Sequence, residues 1–453
     1  MKVFEYVTDF AEPIEAVRAM TRRVGAALRF TPPGRSTFGD GNPDSNRAGD
    51  EFTVDMHPLL FPAMRTQQRV KVVHVDDALT VMDQVSGPLK SYRHETHLSA
   101  LPGGGTRLRE RVSYEASALT GDLTAGLERQ FQFRERQMKG DLAVHHTLAG
   151  RSRKILIAGA SGLIGTQLTA LLANAGQSVA RLVRSPDKGY AIGPAIRWDP
   201  AQRWLPHGIL DGVDAVINLS GHSIGGRFTE ESKRQILQSR LDATATLAGT
   251  IASQFPQTNL IQASAIGIYG ARRPGELLTE ESAPGDGFLA DVVRQWEDVA
   301  RPAVEAGARV AFLRTGIVLS AAGGALKPQL PLFHLFAGGR MASRNAMTSW
   351  VGIDDVVRAY AHAVATPSMQ GPVNLVGPKP VTHQEFAEAI GRVLKRPAAI
   401  PVPSPGPKVL LGAEGYDQLI NTDQNVNSAR LQATGFRFSE PTVEDALRHT
   451  LMR

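Results

Sequence analysis

The sequence contains no cysteine, few aromatic residues and no long hydrophobic run. The absence of cysteine excludes disulfides, thiolate nucleophiles and every metal or cluster site built on thiolates. No segment approaches 18 uninterrupted apolar residues, which predicts that no helix spans a membrane. The first 13 residues mix charged and apolar side chains, which argues against a secretion signal. We therefore expect a cytoplasmic protein that does not associate with membranes.

The chain has 453 residues, too many for one ordinary core, and 42% of them are hydrophobic. Residues 1–150 carry 19 basic and 19 acidic side chains, so all of the net charge of +6 lies in the rest of the chain. That excess is dispersed, with no block of five or six like charges, so we do not expect nucleic acid as a partner. A phosphorylated small molecule fits such an excess equally well.

Residues 1–150 predict an α+β domain. A helix is expected to begin at Pro13 and to carry Ile14, Val17 and Val24 on one face. Residues 34–50 are rich in Gly, Pro, Asn and Asp, which predicts a long loop. The strand-like runs are Lys2–Thr8, Glu51–His57, Gln67–Val75, Leu79–Val85, Leu89–Ala100 and Thr106–Ala116. A final helix from Asp122 to Thr147 places apolar residues on one side, namely Leu123, Leu127, Phe131, Met138 and Leu142.

This order of elements resembles the START-like (SRPBCC) helix-grip family. The resemblance implies a curved antiparallel sheet that wraps the last helix and leaves an apolar cavity for a hydrophobic ligand. The apolar residues of the sheet, such as Phe61, Val72 and Val81, are explained most simply as core. Both readings, a packed core and a ligand cavity, stay open.

The pattern changes near residue 150. Residues 153–320 alternate apolar runs with helical patterns, which predicts a Rossmann-type doubly wound α/β domain with a parallel sheet. The apolar runs are Lys154–Ala158, Ser178–Val183, Ala191–Trp198, Ala215–Leu219, Asn259–Ala263 and Val310–Leu313. Residues 321–453 contain helical stretches at Asp354–Ala365 and Gln384–Leu394 and predict a small cap that is interleaved with the Rossmann core.

A glycine motif, Gly159-Ala160-Ser161-Gly162-Leu163-Ile164-Gly165, directly follows the first of these strands. Gly159 permits the tight turn, Gly162 lets a pyrophosphate approach the backbone, and Gly165 lets the next helix pack on the strand. The backbone around Ser161, Leu163 and Ile164 would then offer free N–H groups at a helix N-terminus. We predict dinucleotide binding here, with a glycine-rich turn that binds nothing as the alternative.

The end of the second strand selects the cofactor. An NAD enzyme would place Asp or Glu there, on the ribose 2′-hydroxyl. This chain has Arg184-Ser185, and its first acidic residue is Asp187, beyond Pro186. Because Arg184 and Ser185 suit a 2′-phosphate, we predict NADP rather than NAD. An ordinary solvated Arg184 is the alternative.

Two further positions are expected at the cofactor. Asp199 ends the third apolar run, where its carboxylate could meet the adenine amino group. Leu219, Ser220 and Gly221 end the fourth run, where small residues let the backbone pass close to a dinucleotide. No metal is predicted in this protein, because His94 and His97 would point to opposite faces of a strand.

The motif Gly159–Gly165, the run Asn218–Gly221 and the run Ser264–Gly270 together resemble the extended short-chain dehydrogenase/reductase superfamily. More narrowly, residues 153–450 resemble the NAD(P)-dependent sugar-nucleotide epimerases, a family also labelled SulA-like. This second resemblance is carried by Leu313–Leu319, Ser349–Asp355, Gly371–Leu375 and Gly435–Leu447. It implies oxidoreductase or epimerase chemistry on a small oxygenated substrate, which could be linked to a nucleotide. A START-like domain that precedes the epimerase region is also a known arrangement in this family.

The catalytic pattern departs from that superfamily, whose site uses a Ser, a Tyr and a Lys four residues after the Tyr. Phe288 and Val292 occupy the expected Tyr and Lys positions, and neither can move a proton. Ser264 is the remaining candidate for contact with substrate or nicotinamide. Arg314 is a candidate for an anionic substrate, with a structural ion pair as the alternative. Asp354, at the start of a helix, is explained by N-capping alone.

Two functions from different classes therefore remain. The first is an NADP-dependent oxidoreductase or epimerase whose proton comes from a group other than the usual pair, or from water. The second is a sensor or regulator that binds NADP and a hydrophobic ligand of the N-terminal domain without turnover.

Overall fold

The structure, a computed structural model, describes residues 1–57, 66–117, 120–186, 189–398 and 400–453. Phe61 and Asp187, which entered the sequence analysis, lie outside these ranges. None of the helices in them is long and apolar enough to cross a membrane.

The N-terminal region forms one antiparallel sheet and three helices. In chain order the elements are β1 (Lys2–Phe10), α1 (Ile14–Arg22), α2 (Ala26–Arg29), β2 (Ser36–Gly41), β3 (Glu51–Met56), β4 (Thr66–Val75), β5 (Leu79–Ser86), β6 (Ser91–Ala100), β7 (Thr106–Glu115) and α3 (Thr124–Leu148). The strand order is β1-β7-β6-β5-β4-β3-β2. Every neighbouring pair is antiparallel, as hairpin connections require.

Two predictions for this region were wrong. The segment 34–50 is not all loop, because β2 pairs with β3 and Phe38 packs edge-on against Phe52 with ring centroids 6.4 Å apart. Pairing with a neighbouring strand outweighs the local glycines there. Val24 lies beyond the end of α1 and is 44% exposed, because the backbone turns extended at Arg23.

The predicted apolar face of α3 is confirmed. Leu127 and Phe131 pack with Phe4 and Val112 of the sheet, and Leu142 belongs to a second apolar cluster. That second cluster joins α3 to α1, β1, β6 and β7, and it consists of Phe10, Val17, Met20, Ala26, Phe30, Leu98, Leu108, Met138 and Leu142. The long helix is therefore held along one face of the sheet by burial of apolar side chains.

The next segment supplies most of a parallel sheet. Its elements are β8 (Lys154–Ala158), α4 (Leu163–Asn174), β9 (Ser178–Val183), β10 (Ala195–Arg197), β11 (Ala215–Asn218), α5 (Glu230–Gln254), β12 (Asn259–Ala265), β13 (Arg272–Leu278), α6 (Phe288–Asp298), α7 (Arg301–Glu305), β14 (Val310–Thr315) and β15 (Ile317–Leu319). Short 3₁₀ turns lie at Pro200–Gln202 and Ile266–Tyr269.

The last segment completes the fold. Its elements are α8 (Leu330–His334), β16 (Met347–Thr348), β17 (Trp350–Gly352), α9 (Ile353–Ala365), β18 (Gly371–Leu375), β19 (Val381–Thr382), α10 (His383–Leu394), α11 (Pro405–Leu419, broken at Gly412), β20 (Asp423–Val426), α12 (Ala429–Ala433) and α13 (Val443–Leu451).

The parallel sheet has the order β10-β9-β8-β11-β12-β14-β18, which is the Rossmann arrangement predicted from the sequence. The strand β18 was not predicted as part of this sheet. It comes from the last segment and pairs in parallel with β14.

One apolar cluster joins the end of α3 to the helices and strands of the parallel-sheet region. Val144 and Leu148 of α3 belong to the same buried cluster as Leu168 and Leu171 of α4 and Val357 of α9. A second cluster packs α5 and α7 on the other face of the parallel sheet. The N-terminal region is therefore packed directly on the helices that flank the dinucleotide fold.

Candidate functional site

The glycine motif forms an open turn at the carboxyl end of β8. Gly159 has φ of +82°, a conformation that favours glycine. A Cβ on Gly159 would lie 2.7 Å from the carbonyl oxygen of Leu219, and a Cβ on Gly165 would lie 2.7 Å from the Cα of Ala160. Both glycines are therefore required by close backbone approach.

Gly162 has a different role from the other two glycines. Its φ of −76° suits any residue, and its own Cβ would meet only the Gly159 oxygen, at 3.3 Å. It is the N-cap of α4, and no side chain caps that helix. The amides of Leu163, Ile164 and Gly165 therefore have neither an intrahelical partner nor a side-chain cap. An anion approaching Ser161 and Gly162, both exposed, would meet these N–H groups.

The end of β11 lies directly beside this turn. The side chain of Asn218 accepts a hydrogen bond from the Ser220 amide at 3.1 Å and donates to Thr244 and Gln262. This fixes Leu219 and Ser220 against Gly159. Gly221 follows, and a Cβ there would be 3.0 Å from the Arg240 guanidinium. The structure thus places Leu219 and Ser220 directly beside the first glycine of the motif.

Arg184 and Ser185 lie at the end of β9, and both are exposed. Neither forms a hydrogen bond or ion pair with the part of the chain that the structure describes, so both are available to a ligand. The loop after them is anchored to the N-terminal region, because Tyr190 Oη donates to Asp44 Oδ2 at 2.5 Å and the Tyr190 ring packs edge-on against Phe38.

Asp199 is exposed, and its carboxylate caps the turn that follows it. Oδ1 accepts from the amides of Ala201 and Gln202 at 3.1 and 3.3 Å. A contact with adenine would have to share the carboxylate with these two amides. The adenine contact stays a prediction.

A buried polar cluster lies at the carboxyl ends of β12, β14 and β18. Ser264 Oγ donates to Glu297 Oε1 at 2.5 Å. Arg314 holds the same carboxylate with two parallel hydrogen bonds, Nε to Oε1 at 2.9 Å and Nη2 to Oε2 at 2.8 Å. Its Nη1 donates to the oxygen of Tyr269 at 3.1 Å, and that hydroxyl donates to Asn374 at 2.7 Å.

Arg314 lies in an ion pair, which is the alternative that the sequence left open. It is only 8% exposed, and its guanidinium is engaged by Glu297, Tyr269 and the carbonyl of Glu280. Because a bidentate carboxylate occupies its fork, contact between Arg314 and a substrate stays a prediction. Ser264 is 4% exposed and lies at the strand end as expected. Glu297 links Ser264 to Arg314, a connection that the sequence pattern does not reveal.

The structure also places Phe288 and Val292 on α6. Val292 is buried at 2% exposure, and the Phe288 ring packs edge-on against Phe228 with centroids 5.4 Å apart. The helix N-terminus is covered by α11, since Gln418 Oε1 accepts from the Leu289 amide at 3.3 Å. Both positions that the resemblance assigns to the proton-transfer pair are thus held by packed apolar side chains.

A second, larger polar network was missed by sequence reasoning. Arg29 of α2 is 1% exposed and forms hydrogen bonds with Asp141 of α3, Asp354 of α9 and Gln167 of α4, all at 2.8–2.9 Å. Arg358 adds a contact to Asp141 at 3.2 Å. This network joins the N-terminal region to the helix that begins at the glycine motif.

Asp354 is consequently not explained by N-capping, contrary to the prediction. The N-cap of α9 is Gly352, and Asp354 points into the network, where it also approaches His449 Nε2 at 3.2 Å. Burial raises the pKa of Asp354, but the Arg29 and His449 contacts outweigh burial and lower it overall. Asp354, Glu440 and His449 place one potential ligand atom each within 4.8 Å of one another. Arg29 and Gln137 both donate to Oδ1 of Asp354, so that oxygen is already engaged within the network.

Comparison with known proteins gives the relatives of this chain. Residues 155–376 match the model of the NAD dependent epimerase/dehydratase family, and residues 402–450 match a domain of unknown function, DUF1731. An epimerase family protein of Mycobacterium bovis is 39% identical over 301 residues, which are 66% of this chain and 98% of the relative. The chain belongs to the NAD-dependent epimerase/dehydratase family.

Two solved structures of epimerases extend this result. The nucleoside-diphosphate sugar epimerase from Corynebacterium glutamicum is 30% identical, with a TM-score of 0.80 over 99% of this chain and 90% of its own. The human epimerase family protein SDR39U1, solved with NADPH, is 31% identical, with a TM-score of 0.58 over 65% of this chain and 98% of its own. The first likeness includes the N-terminal region, whereas the second covers a portion the size of the epimerase module.

Proposed function

We propose that this epimerase-family chain binds NADP(H) at Gly159–Gly165 and exchanges a hydride with a small oxygenated substrate, nucleotide-linked or not. The observation that carries the proposal is the uncapped N-terminus of α4, which presents free amides beside the exposed Gly162. The NADPH of the human relative supports the choice of cofactor. Bound there, NADP(H) would supply the hydride chemistry.

The residues of this chain divide the remaining tasks. The amides of Leu163 and Ile164 would hold the pyrophosphate, and Arg184 with Ser185 would pair with the 2′-phosphate. Asp199 would reach the adenine, while Leu219, Ser220 and Gly221 would form the surface against which the cofactor lies.

Ser264 is proposed to orient the substrate oxygen. The Ser264 hydroxyl already donates its hydrogen bond to Glu297, at 2.5 Å, so its oxygen is left to accept a hydrogen bond from a substrate hydroxyl. Arg314 neutralises Glu297 and keeps that carboxylate in place, which makes Glu297 a positioning residue. With Phe288 and Val292 apolar, the proton would be exchanged with water.

Two glycine variants test cofactor binding without disturbing the fold. Gly162→Ala is compatible with its φ and meets only one backbone oxygen, so the variant should fold normally but crowd a bound pyrophosphate. Gly249→Ala, in α5 with open space around its Cβ, is the matched control. We expect calorimetry to show NADPH binding weakened about tenfold or more by the first change and unaltered by the second. Equal binding by both variants would contradict the proposed cradle.

A second candidate function follows from the apolar Phe288 and Val292, which occupy the positions that the resemblance assigns to the proton-transfer pair. In it the chain binds NADP and a hydrophobic ligand without turnover. The long helix α3 lies along one face of the antiparallel sheet, which supports a helix-grip assignment for residues 1–150. The hydrophobic ligand would lie between this helix and the sheet. NADPH oxidation with a panel of carbonyl compounds separates the two: turnover favours the enzyme, and tight cofactor binding without turnover favours the sensor.

A further inference from the structure

Two adjacent clefts lie at the C-terminal end of α10, and half of the residues that line them are cations. The larger has a volume of about 850 Å³ and the smaller about 440 Å³, and they share Lys395 and Arg396. The cationic residues lining the two are Arg129, Arg340, Arg344, Arg392, Lys395, Arg396, Arg448 and Arg453. Glu388 is the one acidic residue among the linings described, and none of the lining residues belongs to the candidate cofactor site.

Most of this charge is not compensated within the described residues. Arg392 and Arg448 share Glu444. Lys395, Arg396 and the lining arginines 129, 340, 344 and 453 form no ion pair with any residue that the structure describes. Burial lowers the pKa of Arg453, and the nearby Arg129 and Arg396 lower it further. Like charges are therefore held within electrostatic range of one another, which is unfavourable unless an anion joins them.

A helix end alone does not explain the arrangement. Cations near the C-terminus of α10 interact favourably with its dipole, which accounts for Lys395 and Arg396. Arg392 also lies in α10, but the remaining cations come from α3, from the loop before β16, from α13 and from the last residue of the chain. Arg396 adds an independent sign, because its Nε is buried without a hydrogen-bond partner while Nη1 donates to the Lys395 carbonyl at 3.0 Å.

Apolar surface borders the cations. The Arg396 guanidinium lies over the ring of Phe336 at 4.9 Å, yet Phe336 is 60% exposed and its neighbour Leu335 is 75% exposed. Phe336 has φ of +61°, which a bulky residue rarely adopts. An exposed ring beside a cationic cleft suits a ligand with phosphate groups at one end and a planar apolar group at the other.

We propose that these clefts form a second anion site, which binds an organic di- or triphosphate such as a nucleotide. Its phosphates would lie between Lys395, Arg396 and the surrounding arginines, and its planar group would cover Phe336. The site is separate from the glycine motif and does not depend on the proposed function.

The test uses the full chain saturated with NADPH, so that the glycine motif is occupied, and titrates inorganic pyrophosphate and ADP by calorimetry. The double variant Lys395→Gln/Arg396→Gln removes the two shared cations. Its matched control, Arg234→Gln/Arg301→Gln, removes the same charge from residues 74% and 66% exposed in their side chains. Retained NADPH binding shows that each variant is folded.

We expect pyrophosphate to bind with a Kd of about 1 mM or lower, about tenfold more weakly in the cleft variant, and unchanged in the control. ADP should bind more tightly than pyrophosphate, and Phe336→Ala should abolish that difference alone. The inference is overturned if the wild-type chain takes up neither compound at about 10 mM, or if both double variants lose affinity equally. If NADPH itself does not bind, the pyrophosphate titration is repeated on Gly162→Ala, a change that alters the glycine motif and leaves the clefts intact. Pyrophosphate binding that persists in this variant then belongs to the clefts, even though the proposed cofactor site has failed.

Discussion

Replacing Arg29 by Met should destabilise the protein strongly, because Arg29 is the cation at the centre of the buried network. Its guanidinium makes four hydrogen bonds of 2.8–2.9 Å, two of them to Asp141, one to Asp354 and one to Gln167. Removing it leaves two carboxylates without their main partner in a site from which water is excluded. Breaking a buried pair in this way costs about 3–5 kcal/mol of unfolding free energy.

The pH of the measurement matters. Burial raises the pKa of Asp141, but the Arg29 guanidinium outweighs burial and lowers it overall. A carboxylate with a lowered pKa contributes stability above its unfolded pKa and loses it as the pH falls through the folded value. The cost of the substitution should therefore be largest near neutral pH and should shrink as the pH falls below the unfolded pKa of aspartate, about 3.9, toward the lower folded value.

Urea unfolding of wild type, Arg29→Met, Arg29→Lys and Arg301→Met gives the comparison. Arg301 is exposed and pairs only with neighbours on the surface, so its loss should cost less than about 1 kcal/mol. Arg29→Lys keeps the charge but not the planar fork, and we expect an intermediate loss. Arg29 joins α2 to α3, α4 and α9. In the Arg29→Met variant, the N-terminal sheet should therefore also unfold at a lower urea concentration than the parallel sheet. A loss for Arg29→Met no larger than that for Arg301→Met would refute the account of the network.

Three more outcomes are expected. Burial and the neighbouring Asp355 and Asp354 raise the pKa of Glu440, so the stability of the wild-type protein falls as the pH rises through the folded pKa. The variant Glu440→Gln should match the wild type near pH 4.5 and should be more stable by about 1 kcal/mol for each pH unit above that, until the folded pKa is reached. A pH-independent difference between the two in urea titrations would contradict this. Arg184→Ala should weaken NADPH binding by about 1–3 kcal/mol and leave NADH binding unchanged, and an equal loss for both would show that Arg184 does not read the 2′-phosphate. Ser264→Ala should lower kcat about 10- to 100-fold with the NADPH affinity retained; a change in melting temperature alone would assign Ser264 a structural role.

The sequence predicted what depends on local pattern. The strand β8, the three glycines and the start of α4 follow from a run of 12 residues whose spacing has few alternatives. The apolar face of α3 was equally evident, since helical spacing places Leu127 and Phe131 together. Edge strands were harder, because β2 is defined by its pairing with β3 and not by its own composition.

The buried network could not be predicted because its members are far apart in the sequence. Arg29 and Asp354 are separated by 325 positions, and each alone resembles an ordinary surface charge. One signal was present: α9 is apolar almost throughout, yet it contains Asp354, Asp355 and Arg358. Charged residues within a helix that is otherwise apolar indicate buried partners.

A crystal structure of the chain with NADPH would test the central claim most directly. We predict pyrophosphate oxygens within about 3.2 Å of the Leu163 and Ile164 amides, and the 2′-phosphate beside Arg184. A dinucleotide bound elsewhere, with the amides that open α4 facing only solvent, would contradict the account.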